Sequence, residues 1–139
     1  MVKQLNLFKK QSLNVGREFK ACLADVVSQS GLSRAEFLER MNEVADRFGV
    51  RLMKGNGNGL SMATFEKWLN VDQGQYMPPL AALTVICEVG NTTEPLQIFA
   101  RALGFQVIDE PRAKRLMWAD AYHDARKARD KMKRLEGDL

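Results

Sequence analysis

Apolar residues in this chain recur three and four positions apart in segments that end at glycine, which is the pattern of short amphipathic helices on one core. The first predicted helix runs from about Val15 to Ser30 and stops at Gly31. Its predicted core-facing residues are Phe19, Cys22, Leu23, Val26 and Val27. A chain of 139 residues with 45% hydrophobic content can form one such core. We therefore expect an all-α protein.

Ser33 and Glu36 mark the start of a second predicted helix, because a Ser three residues before a Glu forms a capping box. This helix is predicted to end at Gly49. Its predicted core-facing residues are Phe37, Met41, Val44, Ala45 and Phe48. On the outer face, glutamates precede arginines by four residues, the spacing of exposed ion pairs. We interpret these carboxylates as a solvated surface and not as an acid/base pair or a metal site.

The segment from Leu60 to Pro79 contains the most informative local pattern. Ser61 can cap a helix with its hydroxyl, and Leu60 and Phe65 can form a hydrophobic staple across that cap. Phe65 continues into an apolar stripe with Trp68 and Leu69, which leaves the opposite face free. In a helix-turn-helix protein, side chains near the start of the second helix reach base edges in the major groove. The predicted groove-facing residues are Met62, Ala63, Thr64, Glu66 and Lys67.

The same segment resembles the second half of the helix-turn-helix in phage repressors and Cro, the lambda-repressor-like class. That class has a Ser at the start of the recognition helix, an apolar residue four positions later, a Trp three beyond it, and then a loop and a proline. Here these positions hold Ser61, Phe65, Trp68 and Pro78 or Pro79. The stretch Phe65 to Gly90 is most similar to the phage CII-type activators, and the resemblance covers Gly16 to about Gly104.

This resemblance implies a five-helix lambda-repressor-like helix-turn-helix domain with an additional C-terminal helix. It also implies sequence-specific binding of double-stranded DNA by a phage or prophage transcriptional regulator. In that function Ser61 would act as the helix cap and as a phosphate contact.

The second and third predicted helices are separated by eleven residues, Val50 to Leu60, whereas a standard helix-turn-helix uses three or four. Glycine and asparagine alternate from Gly55 to Gly59 and tolerate a positive φ, so the chain can turn sharply there. Two interpretations remain open. The segment is either a flexible connector or a small hairpin from Arg51 that acts as a wing, with Arg51 and Lys54 on DNA phosphate.

Two further helices are predicted before Gly104. One spans about Pro79 to Val89 with the proline in its first turn, and the next is capped by Thr93. The residues expected to face inward are Leu80, Leu83, Ile86 and Cys87 in the former and Leu96, Phe99, Ala100 and Leu103 in the latter. Phe105 to Ile108 is a short extended run that either pairs with the same run of a second subunit or packs on the body.

Asp109 or Glu110 is predicted to cap a last helix, which Pro111 opens and which reaches about Leu135. Its apolar residues follow the spacing of a and d positions in a coiled coil. They are Trp118, Ala121, Ala125, Ala128, Met132 and Leu135. The favoured interpretation is a homodimer, or another homo-oligomer, formed through this helix. The seam is shorter than about three heptads, and the alternative is a helix that folds back on the domain or is partly frayed.

The charge distribution suggests three parts: a flexible basic arm over residues 1–14, the helix-turn-helix domain over 15–108, and the C-terminal helix over 109–139. The net charge is +4, but the middle of the chain is acidic and both ends are basic. Residues 111–136 hold nine Lys or Arg. Residues 1–20 hold Lys3, Lys9, Lys10, Arg17 and Lys20 against Glu18 alone. The ends either contact phosphates, with Lys3, Lys9 and Lys10 on the DNA backbone, or are solvated tails.

Other functional classes find little support in the sequence. Cys22 and Cys87 lack a CxxC partner, so we interpret them as small buried hydrophobes of a reduced compartment. His123, the only histidine, is expected on the surface. We expect no catalytic residue, metal, cofactor or small-molecule substrate. The absence of a long apolar run or signal peptide predicts a cytoplasmic protein without a membrane partner.

The second hypothesis for the function is a helical protein-interaction adaptor in a phage replication or transposition complex. The acidic body of the chain favours it, as does the weak cationic content of the third predicted helix.

Overall fold

The computed structural model describes residues 12–53 and 59–138. Within these residues the chain forms six α-helices and no strand, so the all-α prediction is confirmed. The helices are α1 (Gly16–Gln29), α2 (Arg34–Phe48), α3 (Met62–Leu69), α4 (Ala82–Gly90), α5 (Glu94–Ala102) and α6 (Glu110–Gly137). The chain divides into two compact units, of which the first ends at Val107 and the second begins at Ile108.

The first unit is built on an apolar core to which α1 to α5 all contribute. Phe37 of α2 and Phe65 of α3 are buried, and their rings stack with centroids 6.0 Å apart. Phe19 of α1 contacts Phe99 of α5 with ring centroids 5.0 Å apart. Trp68 of α3 is also buried. The apolar face of α3 therefore packs on the core and against α2, while α1 packs against both α3 and α5.

Local capping determines several helix ends. The Ser33 hydroxyl accepts from the Glu36 N–H and the Glu36 carboxylate accepts from the Ser33 N–H, so the predicted capping box is present. The hydrogen bond from the Ser33 backbone lowers the pKa of Glu36. Gly49 ends α2 with φ +68°, in the left-handed region that favours glycine. Asp109 caps α6 by accepting from the Arg112 N–H, as predicted.

Four residues that were predicted to face the core are exposed: Phe48, Leu80, Phe99 and Leu103. Leu80 is 85% exposed because α4 begins only at Ala82, so the residues just before it form a turn and not the first turn of the helix. Phe48 is the last residue of α2, and Leu103 follows the end of α5. At these helix ends the apolar residues continue beyond the turns that the neighbouring helices cover.

The start and the end of α5 also differ from expectation. Thr93 precedes α5 but makes no side-chain cap, whereas the Thr92 hydroxyl accepts from the backbone at the helix start. The run Phe105 to Ile108 is not a strand. The Gln97 amide nitrogen donates to the Val107 carbonyl at 2.6 Å, and the Val107 N–H donates to Gln97 Oε1 at 3.1 Å. Both backbone polar groups of Val107 are therefore bonded within the first unit, which supports packing on the body for Val107, whereas the side chains of Phe105 and Ile108 are exposed.

The second unit contains α6, a helix of 28 residues. The structure shows this helix as continuous, and none of its residues is buried. Its large apolar side chains are more than half exposed: Leu116, Met117, Trp118, Tyr122, Met132 and Leu135. Among the helices of residues 12–53 and 59–138, none combines the length and the apolar content needed to cross a bilayer.

Candidate nucleic-acid interface

The start of α3 is fixed by the local contacts that the sequence predicted. Ser61 accepts from the Thr64 N–H at 3.2 Å and donates to Thr64 Oγ1 at 3.1 Å, so the predicted N-cap is confirmed. Leu60 and Phe65, the predicted staple, are both buried. The first turn of α3 is therefore capped on its polar side and packed on its apolar side.

A long-range contact anchors the same end of α3. Asn42 of α2 donates from Nδ2 to the Leu60 carbonyl at 3.1 Å and accepts at Oδ1 from the Leu60 N–H at 2.8 Å. Gly59 lies directly against this amide with φ +94°, and a Cβ at that position would stand 2.6 Å from Asn42 Oδ1. One side chain thus pairs with both polar groups of Leu60 and leaves no room for a larger residue before it. The connector therefore enters α3 at a fixed position on α2.

The other end of α3 is held by Lys20 of α1, whose side chain is fully buried. Its ammonium donates to three backbone carbonyls, that of Lys67 at 2.9 Å and those of Gln73 and Tyr76 at 2.5 Å. The Lys67 carbonyl is among the last four of α3, which lack an α-helical partner and favour a nearby positive charge. Burial lowers the pKa of Lys20, and the three carbonyl oxygens oppose that effect by favouring the charged form.

Lys20 was counted among the basic residues of the N-terminal flank, for which the sequence allowed either phosphate contacts or a solvated tail, and the structure places its ammonium in neither setting. All three N–H bonds of its ammonium have acceptors inside the first unit. The residue clamps the C-terminal end of α3 and the following loop to α1. It therefore determines where α3 lies and is not available to a ligand.

Two further cations, Arg17 and Lys67, contact the same loop more weakly. Arg17 of α1 pairs with the Asp72 carboxylate at 3.4 Å, and both side chains are more than 70% exposed. Such an ion pair contributes little to stability because water screens it. The Lys67 ammonium lies 4.5 Å from the centroid of the Tyr76 ring, a cation–π contact. Of these contacts, we expect the buried ammonium of Lys20 to contribute most to holding the end of α3 and the following loop.

The outer face of α3 carries four of the five residues that were predicted to face DNA. Ala63 and Glu66 are exposed, and Thr64 and Lys67 are half-buried. Met62 differs, because it packs against the core as a half-buried residue. It precedes Phe65 by three positions and so lies on the same side of the helix. The outer face of α3 is therefore small, polar and electrically balanced.

The other predicted DNA contacts are only partly described. Arg51 is exposed and stands beside Leu52, which is buried in the core. Arg51 to Met53 form no strand, so the hairpin that was considered there does not begin at Arg51. Lys54 and the Gly/Asn-rich tip lie outside the described residues, as do the residues of the basic arm, Lys3, Lys9 and Lys10.

The described residues form no metal-binding cluster, and burial shifts their two thiols towards the protonated form. Within residues 12–53 and 59–138, no three His, Cys, Asp or Glu side chains are close enough to hold one metal ion. Burial raises the pKa of Cys22 to about 11 and also raises the pKa of Cys87. Both thiols are therefore protonated at neutral pH. Both side chains are half-buried, whereas the sequence analysis expected buried residues.

Comparisons of the chain with protein-family models, with curated proteins and with solved structures found no match. The resemblance to the lambda-repressor-like class therefore stays a prediction.

Proposed function

We propose that this protein binds double-stranded DNA with α3 as the reading helix, as a helix-turn-helix regulator of the lambda-repressor-like, phage or prophage type. The observation that carries the proposal is that α3 is anchored at both ends while the described residues leave Ala63 and Glu66 on its outer face exposed. Asn42 holds the start of the helix and Lys20 holds its end. A helix that reads bases must be held in this way, because hydrogen bonds to base edges tolerate only small displacements.

The long connection between α2 and α3 is compatible with this proposal. A helix-turn-helix needs its second helix in a fixed position on the first, and a short turn normally provides it. Here the same constraint comes from two contacts, the Asn42 bonds to Leu60 and the stacked rings of Phe37 and Phe65. The connector is long in sequence, but the point at which it enters α3 is fixed.

Each residue of the outer face has a distinct role in the proposed complex. Lys67 can donate to a guanine edge or to a phosphate, and Glu66 can accept from cytosine N4 but repels phosphate. Ala63 is small enough to contact a thymine methyl group. Thr64 and Ser61 lie at the positive end of the helix, where a backbone phosphate is favoured. Further phosphate contacts are assigned to Arg51 and, outside the described residues, to Lys54, Lys3, Lys9 and Lys10.

A helical adaptor that binds another protein, such as a component of a phage replication or transposition complex, is the second candidate. The observation that favours it is the charge next to α3. Glu39, Glu43 and Asp46 of α2 line a groove of about 1110 Å³ that also reaches Met62. Arg51 is the basic residue among its described lining, so the three carboxylates outnumber it. An acidic groove attracts a basic peptide and repels phosphate.

Substitutions on the outer face of α3 test the DNA proposal. We expect Lys67→Ala to weaken binding to duplex DNA by about 1–3 kcal/mol, because it removes a base or phosphate contact. Glu66→Ala should change the sequence preference and strengthen non-specific binding, because it removes a negative charge near phosphate. Fluorescence anisotropy with random duplex and with DNA flanking the gene, across a salt series, measures both effects. Arg101→Ala, which removes an exposed cation on α5, is the matched control.

The salt series also separates the two candidate functions. A DNA-binding protein loses affinity linearly with the logarithm of the salt concentration. If wild-type protein shows no association even at low salt, the adaptor is favoured. If it does bind DNA, but Lys67→Ala and Glu66→Ala both leave affinity and preference unchanged in folded protein, α3 is not the reading helix.

A further inference from the structure

The helix α6 carries one apolar stripe that the described residues do not bury. The stripe consists of Trp118, Ala121, Ala125, Ala128, Met132 and Leu135. Its three large side chains, Trp118, Met132 and Leu135, are 68%, 60% and 58% exposed. An apolar stripe of this length on a charged helix is unfavourable in water and is typical of an interaction surface.

We infer that this stripe packs against the same stripe of a second copy of the chain, and that the two helices run antiparallel. This inference is independent of the proposed function, because it involves only α6 and holds whether or not α3 reads DNA. It gives the expected self-association a direction and a register, which determine the residues that meet.

The sizes of the side chains favour the antiparallel direction. In a parallel pair each residue meets its own copy, so a layer of two tryptophans would be followed directly by a layer of two alanines. In the antiparallel register that places Trp118 opposite Leu135, Ala121 lies opposite Met132 and the other two alanines meet at the centre. Side-chain size then decreases gradually from both ends to the centre, where two helices can approach closely without a void.

The charges favour the same direction. Residues 126–134 contain six Lys or Arg and only one acidic residue, Asp130. A parallel pair would place two of these stretches side by side, where like charges repel. In the antiparallel register the stretch lies opposite residues 119–127. There Asp120 and Asp124 balance Arg126 and Lys127, so the net charge is zero.

One ion pair distinguishes the two directions. Asp124 and Lys131 are seven residues apart and both occupy g positions of the heptad in which Ala125 and Met132 are a positions, so both lie on the same flank of α6, whereas Lys127 and Asp130 occupy the outer c and f positions. In an antiparallel pair, the side of the stripe that carries Asp124 and Lys131 meets the same side of the other helix. Asp124 of each copy then faces Lys131 of the other. In a parallel pair each flank meets the opposite flank of the other copy, so Asp124 would face Arg129 and Lys131 would face Glu136. These pairs are also attractive, so the flanks distinguish the two directions by which residues pair, and it is the net charge of the facing stretches that favours the antiparallel one.

Charge reversals in the full-length protein test this inference by sedimentation equilibrium, without DNA. We expect wild-type protein to dimerise. Asp124→Lys and Lys131→Asp should each raise the dimer Kd about tenfold, because each replaces two attractions by two repulsions. The double variant D124K/K131D restores the ion pairs in the opposite sense. Its Kd should therefore return to within about threefold of the wild-type value.

Several outcomes would overturn the inference. In a parallel pair the double reversal brings like charges together on both flanks, so its Kd would exceed that of either single variant. A wild-type protein that stays monomeric at every concentration also excludes the pair. Asp130→Lys and Lys127→Asp make the same charge changes away from the stripe and should leave the Kd unchanged. If they weaken the dimer as much as the single reversals of Asp124 and Lys131, net charge and not the ion pair is responsible.

Discussion

Replacing Trp68 by alanine should unfold the first unit or leave it severely destabilised. The side chain is only 3% exposed and lies on the face of α3 that packs against the core. Truncation of a buried aromatic residue lowers the free energy of unfolding by about 3–5 kcal/mol, against a total of about 5–15 kcal/mol. We therefore expect thermal melting, followed by circular dichroism, to shift downward by more than about 10 °C.

The second tryptophan provides a matched control for this experiment. Trp118 is 68% exposed on α6, so Trp118→Ala makes the same chemical change outside the core of the first unit. In that variant Trp68 is the only remaining tryptophan, and its fluorescence reports the unfolding of the first unit directly. We expect this transition to keep its midpoint. If Trp68→Ala melts like the wild type, Trp68 is not a core residue and the placement of α3 is wrong.

The features that the sequence predicted well depend on neighbouring residues. Ser33, Ser61 and Asp109 each accept from a backbone N–H three positions further along the chain. A cap of this kind needs only the right residue at the right spacing, so it can be read without knowing the fold. The helical class of the chain and the start of α3 follow from the same local patterns.

The exposed ends of helices could not be predicted in this way. Phe48 is the last residue of α2 and Leu80 lies in the turn before α4, and both continue the apolar spacing of the adjoining helix, yet both are mostly exposed. Periodicity identifies the side of a helix that faces the core, but it cannot show where the core ends. That limit depends on which neighbouring helices cover each turn, and therefore on the tertiary arrangement.

The two anchors of α3 were missed because their partners are far apart in the sequence. Asn42 bonds to a residue 18 positions away, and Lys20 to residues 47 to 56 positions away. A local signal for Lys20 was nevertheless present. It lies three positions before Leu23 and seven before Val27, within the apolar stripe of the first helix. A lysine at such a position must either extend its ammonium to solvent or find acceptors inside.

Replacing Lys20 by methionine should destabilise the first unit by about 3 kcal/mol, because hydrogen bonds to a charged group are worth about 1.5–3 kcal/mol and three acceptors lose their donor. Methionine keeps much of the volume of the side chain, so the effect reports the ammonium and not a cavity. Chemical denaturation followed by circular dichroism measures the change in the free energy of unfolding.

Arg17→Met is the matched control, because it removes another cation of α1 that contacts the same loop. Its ion pair with Asp72 is exposed, so we expect a loss of less than about 1 kcal/mol. Amide hydrogen exchange should locate the effect of Lys20→Met in the last turn of α3 and in residues 70–76, while α2 and α4 keep more of their protection. If the two variants are equally stable, the Lys20 ammonium does not clamp α3. The end of the proposed reading helix would then have to be held by packing alone.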